Sequence, residues 1–191
     1  MEEKLNNLLN IIFKDYNINT LTNYQKRKIV FTYLANNITY DLELLNQIKN
    51  KTAKRDHKKE ILDVLDNNKG ICNAIAQVYM LLLEKLGIES ICICCDDSTE
   101  VYHQLNLVKE NNNFTFDDVT YAIFSEDKLE RFDYTVEKAN EFGHGLKKVY
   151  DMDYWIIIPP SFAHAVLGED VTDNIDDFIE FVNNINNIKR I

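Results

Sequence analysis

The sequence predicts an α+β fold in which one central helix packs on an antiparallel sheet, and two observations carry that prediction. The first is the stretch from about 72 to 87. It is apolar nearly all round, with Ile75, Val78, Tyr79, Leu81, Leu82, Leu83 and Leu86. A helix with no polar face is surrounded by protein. The second is a change of period after Gly87. The segments "IESICICC" (88–95), "VYHQLNLVK" (101–109) and "FTFDDVT" (114–120) alternate with period two. They read as successive strands, the last two joined by the polar turn "ENNN".

The other elements follow in chain order. Residues 2–14 carry Leu5, Leu8, Leu9 and Ile12 at helical spacing. "TNYQ" (22–25) has capping-box form, with Thr22 as cap and Gln25 three residues on. It opens a helix to about Asn37 that buries Ile29, Val30, Tyr33 and Leu34. "ITYD" (38–41) follows. The basic, polar stretch 46–59 is expected to be a loop running into a short helix, 58–66, and Gly87 ends the central helix. Residues 125–150 give no clear period. "DYWIIIPP" (153–160) is expected to be a buried strand stopped by its prolines. A final helix, 173–188, carries the stripe Ile175, Phe178, Ile179, Val182, Ile185 and Ile188.

Composition bounds the function. A chain of 191 residues with 46% hydrophobic content can bury a core. A net charge of −10 argues against general affinity for nucleic acid or anionic membranes, both of which need basic surfaces. The first 17 residues are acidic and amphipathic where a signal peptide would be basic, and no apolar run reaches membrane-spanning length. Four cysteines do not define a disulfide scaffold, so a cytoplasmic protein with reduced thiols is expected. The basic run Lys49–Lys59 is expected to be a solvated loop, or a site for an acidic partner.

The candidate chemistry begins at "NNKGICNAIA" (67–76), where Cys72 opens the central helix. Unpaired N–H groups and positive potential at a helix start favour a thiolate. His103 falls in the second strand and Asp118 in the third, across the hairpin, and facing side chains of adjacent strands lie close together. An imidazole can take the thiol proton and return it to a leaving amine, and a carboxylate can fix its tautomer. Asp117 and Asp118 point to opposite faces of a strand, so only one can serve. Cys92, Cys94 and Cys95 lack a second ligand pair with zinc-like spacing, and no metal site is expected there. His144 and His164 read as ordinary loop or core histidines, either of which could reach the cleft if the tail folds over it.

These blocks, in this order, resemble the transglutaminase-like superfamily of the papain-like cysteine proteinase fold. The matching residues are Gly70-Ile71-Cys72, His103-Gln104-Leu105-Asn106 and Asp118-Val119-Thr120-Tyr121, and "YLANNITYD" resembles the segment preceding the cysteine in bacterial members. The resemblance spans about residues 24–122, within an expected single domain of 1–191. It leaves a helical segment at 1–23 and an unassigned extension at 123–191. It implies Cys72 as nucleophile, His103 as base and Asp118 as orienting carboxylate, with no metal or organic cofactor. It further implies a cysteine-dependent hydrolase or acyltransferase acting on amide bonds of a protein or peptide. Asp118 is preferred over Asp117 because it sits in the Asp-Val-Thr pattern. Tyr40 and Asn106 are expected at the substrate or oxyanion site, with packing as the other reading of Tyr40 and orientation of the strand or a water as that of Asn106. Gln104 and Leu105 depart from the small-then-tryptophan pair usual after the histidine. That departure leaves two rivals open: a binding module of this fold with little or no turnover, and a toxin or effector using the same triad on one host protein.

Overall fold

The computed structural model describes residues 2–96, 102–142 and 157–188. Helices α1 (Glu2–Ile12) and α2 (Asn23–Asn37) come first, and Thr22 and Gln25 complete the capping box that starts α2. A two-residue strand β1 (Thr39–Tyr40) follows, then α3 (Leu42–Lys49) and α4 (His57–Asn67). The loop expected from residue 46 is therefore partly helical. Asp41 starts α3 by accepting from the Leu44 N–H at 3.0 Å, a cap that satisfies one orphan donor. Helix α4 ends at Asn68, which is left-handed at φ 51°, and strand β2 (Lys69–Gly70) then pairs in parallel with β1, Tyr40 facing Gly70.

The central helix α5 (Cys72–Lys85) buries every residue from Cys72 to Leu83. It packs on Leu5 and Leu8 of α1, Val30, Phe31 and Leu34 of α2, and Ile61 and Val64 of α4 in one apolar core. Gly87, at φ 72°, turns the chain out of α5 toward the sheet.

Four antiparallel strands form that sheet in the order β5-β4-β3-β6, with β3 (Ser90–Asp96), β4 (Tyr102–Glu110), β5 (Asn113–Asp117) and β6 (Ile157–Ile158). Alternation divides its faces. Cys92 and Val108 join the α5 core, whereas Ile91, Ile93, Cys95, Leu105, Leu107 and Phe116 form a second core. Helices α7 (Val136–Glu141) and α9 (Asp176–Ile188) supply Ala139, Phe178 and Val182 to that second core, together with Tyr134. Helix α8 (Pro160–Leu167) packs on the α5 side through Ala163 and Leu167.

Two further expectations change. The third strand stops at Asp117, not at Thr120, because Asp118 leaves the ladder and caps a short helix α6 (Val119–Phe124). The expected strand at 153–160 is reduced to half-buried β6, followed at once by α8; residues 151–156 lie outside the described residues. Among the described residues no helix is long and apolar enough to cross a membrane.

Candidate active site

Gly70 is where the chain must pass closest to its surroundings. A Cβ there would sit 2.4 Å from Val64 Cγ2, well inside contact distance. Two residues later α5 begins, with Ile71 as N-cap. Ile71 has no side-chain acceptor to offer, so the first N–H groups of α5 are not satisfied by a capping side chain. Cys72 stands at this end, 7% exposed. The His103 side chain and the backbone N–H groups of Asn73 and Gln104 lie near enough to favour its thiolate.

The ladder explains the room for a helix end beside β4. Asn106 opposes Asp117, the last residue of β5, so His103 and Gln104 extend beyond the pairing with that strand. Asp118 bridges the gap because it has turned off the sheet. Its Oδ1 accepts from the Tyr121 N–H at 3.0 Å as the cap of α6, and its Oδ2 lies 2.8 Å from His103 Nε2. One carboxylate thus serves a helix start and an imidazole at once. Tyr121 sets its ring edge-on to His103, centroids 5.0 Å apart. The expected approach of His103 and Asp118 occurs, but through a helix cap and not across the strand ladder.

The electrostatics follow from these contacts. Burial works against a charged His103, but the Asp118 carboxylate and the Cys72 sulfur outweigh it and raise the imidazole above its ordinary value. Burial likewise opposes a Cys72 thiolate. The bond and charge of His103, with the two backbone N–H donors, bring the thiol below its ordinary value nonetheless.

Asp117 has a different partner set. Its carboxylate lies 2.9 Å from Arg27 Nε, accepts from the Tyr79 hydroxyl at 2.7 Å and from the Asp133 N–H at 2.8 Å. Arg27 is fully buried beneath Phe132, also pairs with Asp133, and lies 3.4 Å from Glu110. This cluster ties α2, α5 and β5 together and fixes the strand end next to Asp118.

The remaining expected residues divide. Tyr40 lies on β1 opposite Gly70, two residues from Cys72, with its ring against Phe124. Asn106 is fully buried under α5, donating to the Ala76 carbonyl at 3.0 Å, so it braces strand to helix about one turn past Cys72. His164 bonds Glu84 and Glu169 at 2.7 and 2.6 Å, and these carboxylates raise its pKa despite burial. Glu84 follows Cys72 by 12 residues on α5, a rise of about 18 Å, so His164 is remote from the thiol. His144 lies outside the described residues. Cys92 and Cys94 are buried, and burial raises both thiols. Among the described residues no group of three or more histidine, cysteine, aspartate or glutamate side chains could hold a metal ion.

Further residues complete the surroundings. Asn73 Nδ2 donates to Gln104 Oε1 at 2.9 Å, and His57 Nδ1 lies 3.4 Å from Asn73 Oδ1. Gln104 stands out in the sequence as a departure from the usual residue after the histidine, whereas Asn73 and His57 carry no motif signal beyond the adjacency of Asn73 to Cys72.

Comparison with known proteins agrees with this architecture. The family model of the transglutaminase-like superfamily matches residues 14–100. Among solved structures, the crystal structure of a TGase is similar at a TM-score of 0.52 and 18% identity, over 62% of this chain. The match covers 31% of that chain, so this protein spans about a third of its length. No curated protein matches.

Proposed function

The chain has a transglutaminase-like core, and on that premise we propose that Cys72 is the nucleophile of a cysteine-dependent enzyme acting on amide bonds of a protein or peptide. The observation that supports this most directly is the position of His103, held by Asp118 at 2.8 Å on one ring nitrogen and near enough to Cys72 to favour its thiolate.

In this reading the Cys72 thiolate attacks the substrate carbonyl carbon and forms a carbon–sulfur bond. The carbonyl oxygen becomes an oxyanion. The backbone N–H of Cys72, which at a helix start has no intrahelical acceptor, is its donor, with Tyr40 beside it. His103 gives its proton to the leaving amine as the carbon–nitrogen bond breaks, leaving a thioester on Cys72. Asp118 holds the imidazole in orientation and stabilises its cation throughout. Water activated by His103 then releases the acid and restores the thiolate. An amine could take the same path to a new amide. Hydrolysis is the preferred outcome, since transfer requires the thioester to be kept from water.

The burial of Cys72, 7% exposed, favours one second reading: a binding module that keeps the fold with little turnover. Acylation separates the two. On incubation with p-nitrophenyl acetate, intact mass and peptide mapping should find an acetyl group on Cys72 in the wild type and none at that position in His103→Ala. Acetate release would establish hydrolysis, and acetylation of an added primary amine would establish transfer. A wild-type Cys72 that never acylates would leave the binding module standing.

A further inference from the structure

We propose that the side chains of Asn73 and Gln104 form an amide clamp that positions the Cys72–His103 pair, an inference that rests on the nucleophile reading above. Asn73 follows Cys72 on α5, and Gln104 follows His103 on β4. The bond from Asn73 Nδ2 to Gln104 Oε1, 2.9 Å long, therefore joins the helix to the strand one residue away from each reacting group. The backbone N–H groups of the same two residues are among those that favour the Cys72 thiolate. A shift of the helix start along the strand would stretch the side-chain bond and move the sulfur relative to His103 and the Gln104 N–H together.

The outer ends of the clamp are anchored as well. Gln104 Nε2 donates to Cys94 Sγ on β3 at 3.4 Å, and Asn73 Oδ1 lies 3.4 Å from His57 Nδ1 on α4. Helices α4 and α5 and strands β3 and β4 are thereby linked around the thiol. Amides suit this place because they carry no charge. A carboxylate here would oppose the thiolate, and an ammonium would compete with the imidazolium. Hydrogen bonds to sulfur weaken steeply with misalignment, so a small displacement is enough to lose the donors that hold the thiol below its ordinary value. The departure at Gln104, which leaves the chain without a small residue after the histidine, thus has a use in this site. Asn73 and Gln104 are positioning residues and take no part in bond making.

The test reads the titration of Cys72, which a merely structural bond would leave in place. Alkylation of Cys72 by iodoacetamide is followed against pH in the wild type, Asn73→Ala, Gln104→Met and the double variant, each checked for a cooperative unfolding transition. The clamp predicts that the folded single variants move the profile toward higher pH by about one unit, a loss of about tenfold in rate on its low-pH arm. It also predicts that the double variant is no worse than either single one, because both remove the same bond. Exchanging the two residues, Asn73→Gln with Gln104→Asn, keeps the bond and the number of methylene groups and should restore most of the low-pH rate. Folded single variants with the wild-type profile, or a double variant in which the two effects simply add, would overturn the clamp. Should Asn73→Ala not fold, Gln104→Met and the exchanged pair make the same comparison. A wild type with no low-pH arm dependent on His103 would instead sink the nucleophile reading, and the clamp with it.

Discussion

Asp118 holds two jobs in one carboxylate, and separating them tests the site at the scale of single atoms. Its Oδ1 caps α6 and its Oδ2 faces His103. Asparagine is also a good cap, so Asp118→Asn should keep the cap and lose only the charge partner of His103, and with it the reactivity of Cys72 below neutral pH. Asp118→Ala should lose that reactivity and, in addition, about 1 kcal/mol of stability with the cap. Equal loss of stability in both variants would mean that the cap is not what Asp118 contributes to the fold. The three residue types were legible in the sequence because each stands in a short block whose order is informative. Arg27 was not. It lies in "QKRKIVF" between two lysines, where a positive side chain reads as solvated, yet it is fully buried against Asp117. Nothing local announces a buried ion pair whose partner is 90 residues away.

At the scale of elements, helix starts and strand ends decide where the reacting groups stand. Gly70 lets β2 pass Val64 and lead into α5. Gly70→Ala would force its methyl group against a buried valine, and denaturant unfolding should find a loss of about 1–3 kcal/mol. The Arg27 cluster holds the end of β5. Arg27→Ala leaves Asp117 buried without its cation and should cost about 3–5 kcal/mol. A loss below about 1 kcal/mol would mean that water or another cation takes its place. The long elements were legible: α2 from its capping box, α5 from its nearly unbroken apolar run, and the β4–β5 hairpin from its alternation and polar turn. The short ones were not. Residues 42–49 were hidden by the polar stretch that follows them, although Asp41 carries a cap signal. Asp118 was assigned to a strand because "FTFDDVT" alternates through it, and alternation cannot register that a side chain caps the next helix.

Across the whole molecule, the charge pair at the site couples to stability with a definite sign. A histidine raised in the folded state binds its proton more tightly there than in the unfolded chain. Its contribution is complete below the ordinary value of about 6.5 and is lost as pH rises through the raised folded value. In a Cys72→Ala background, which removes the thiol's own titration, His103→Gln should therefore destabilise the protein more at pH 6 than at pH 9. A gap that widens toward pH 9 would mean that His103 is held neutral. The α+β arrangement and its central helix were legible from the change of period after Gly87. The division of the sheet into two cores was not, because α7 lies in a stretch without clear period and the stripe of α9 does not say which face of the sheet it covers. The central claim is that Cys72 and His103 form a thiolate–imidazolium pair. The most direct measurement is the alkylation rate of Cys72 against pH in wild type and His103→Ala, with peptide mapping to separate it from Cys92, Cys94 and Cys95. The pair predicts rapid alkylation below pH 7 that disappears without His103. A Cys72 that titrates as a free thiol near pH 8.5 in both proteins would contradict it.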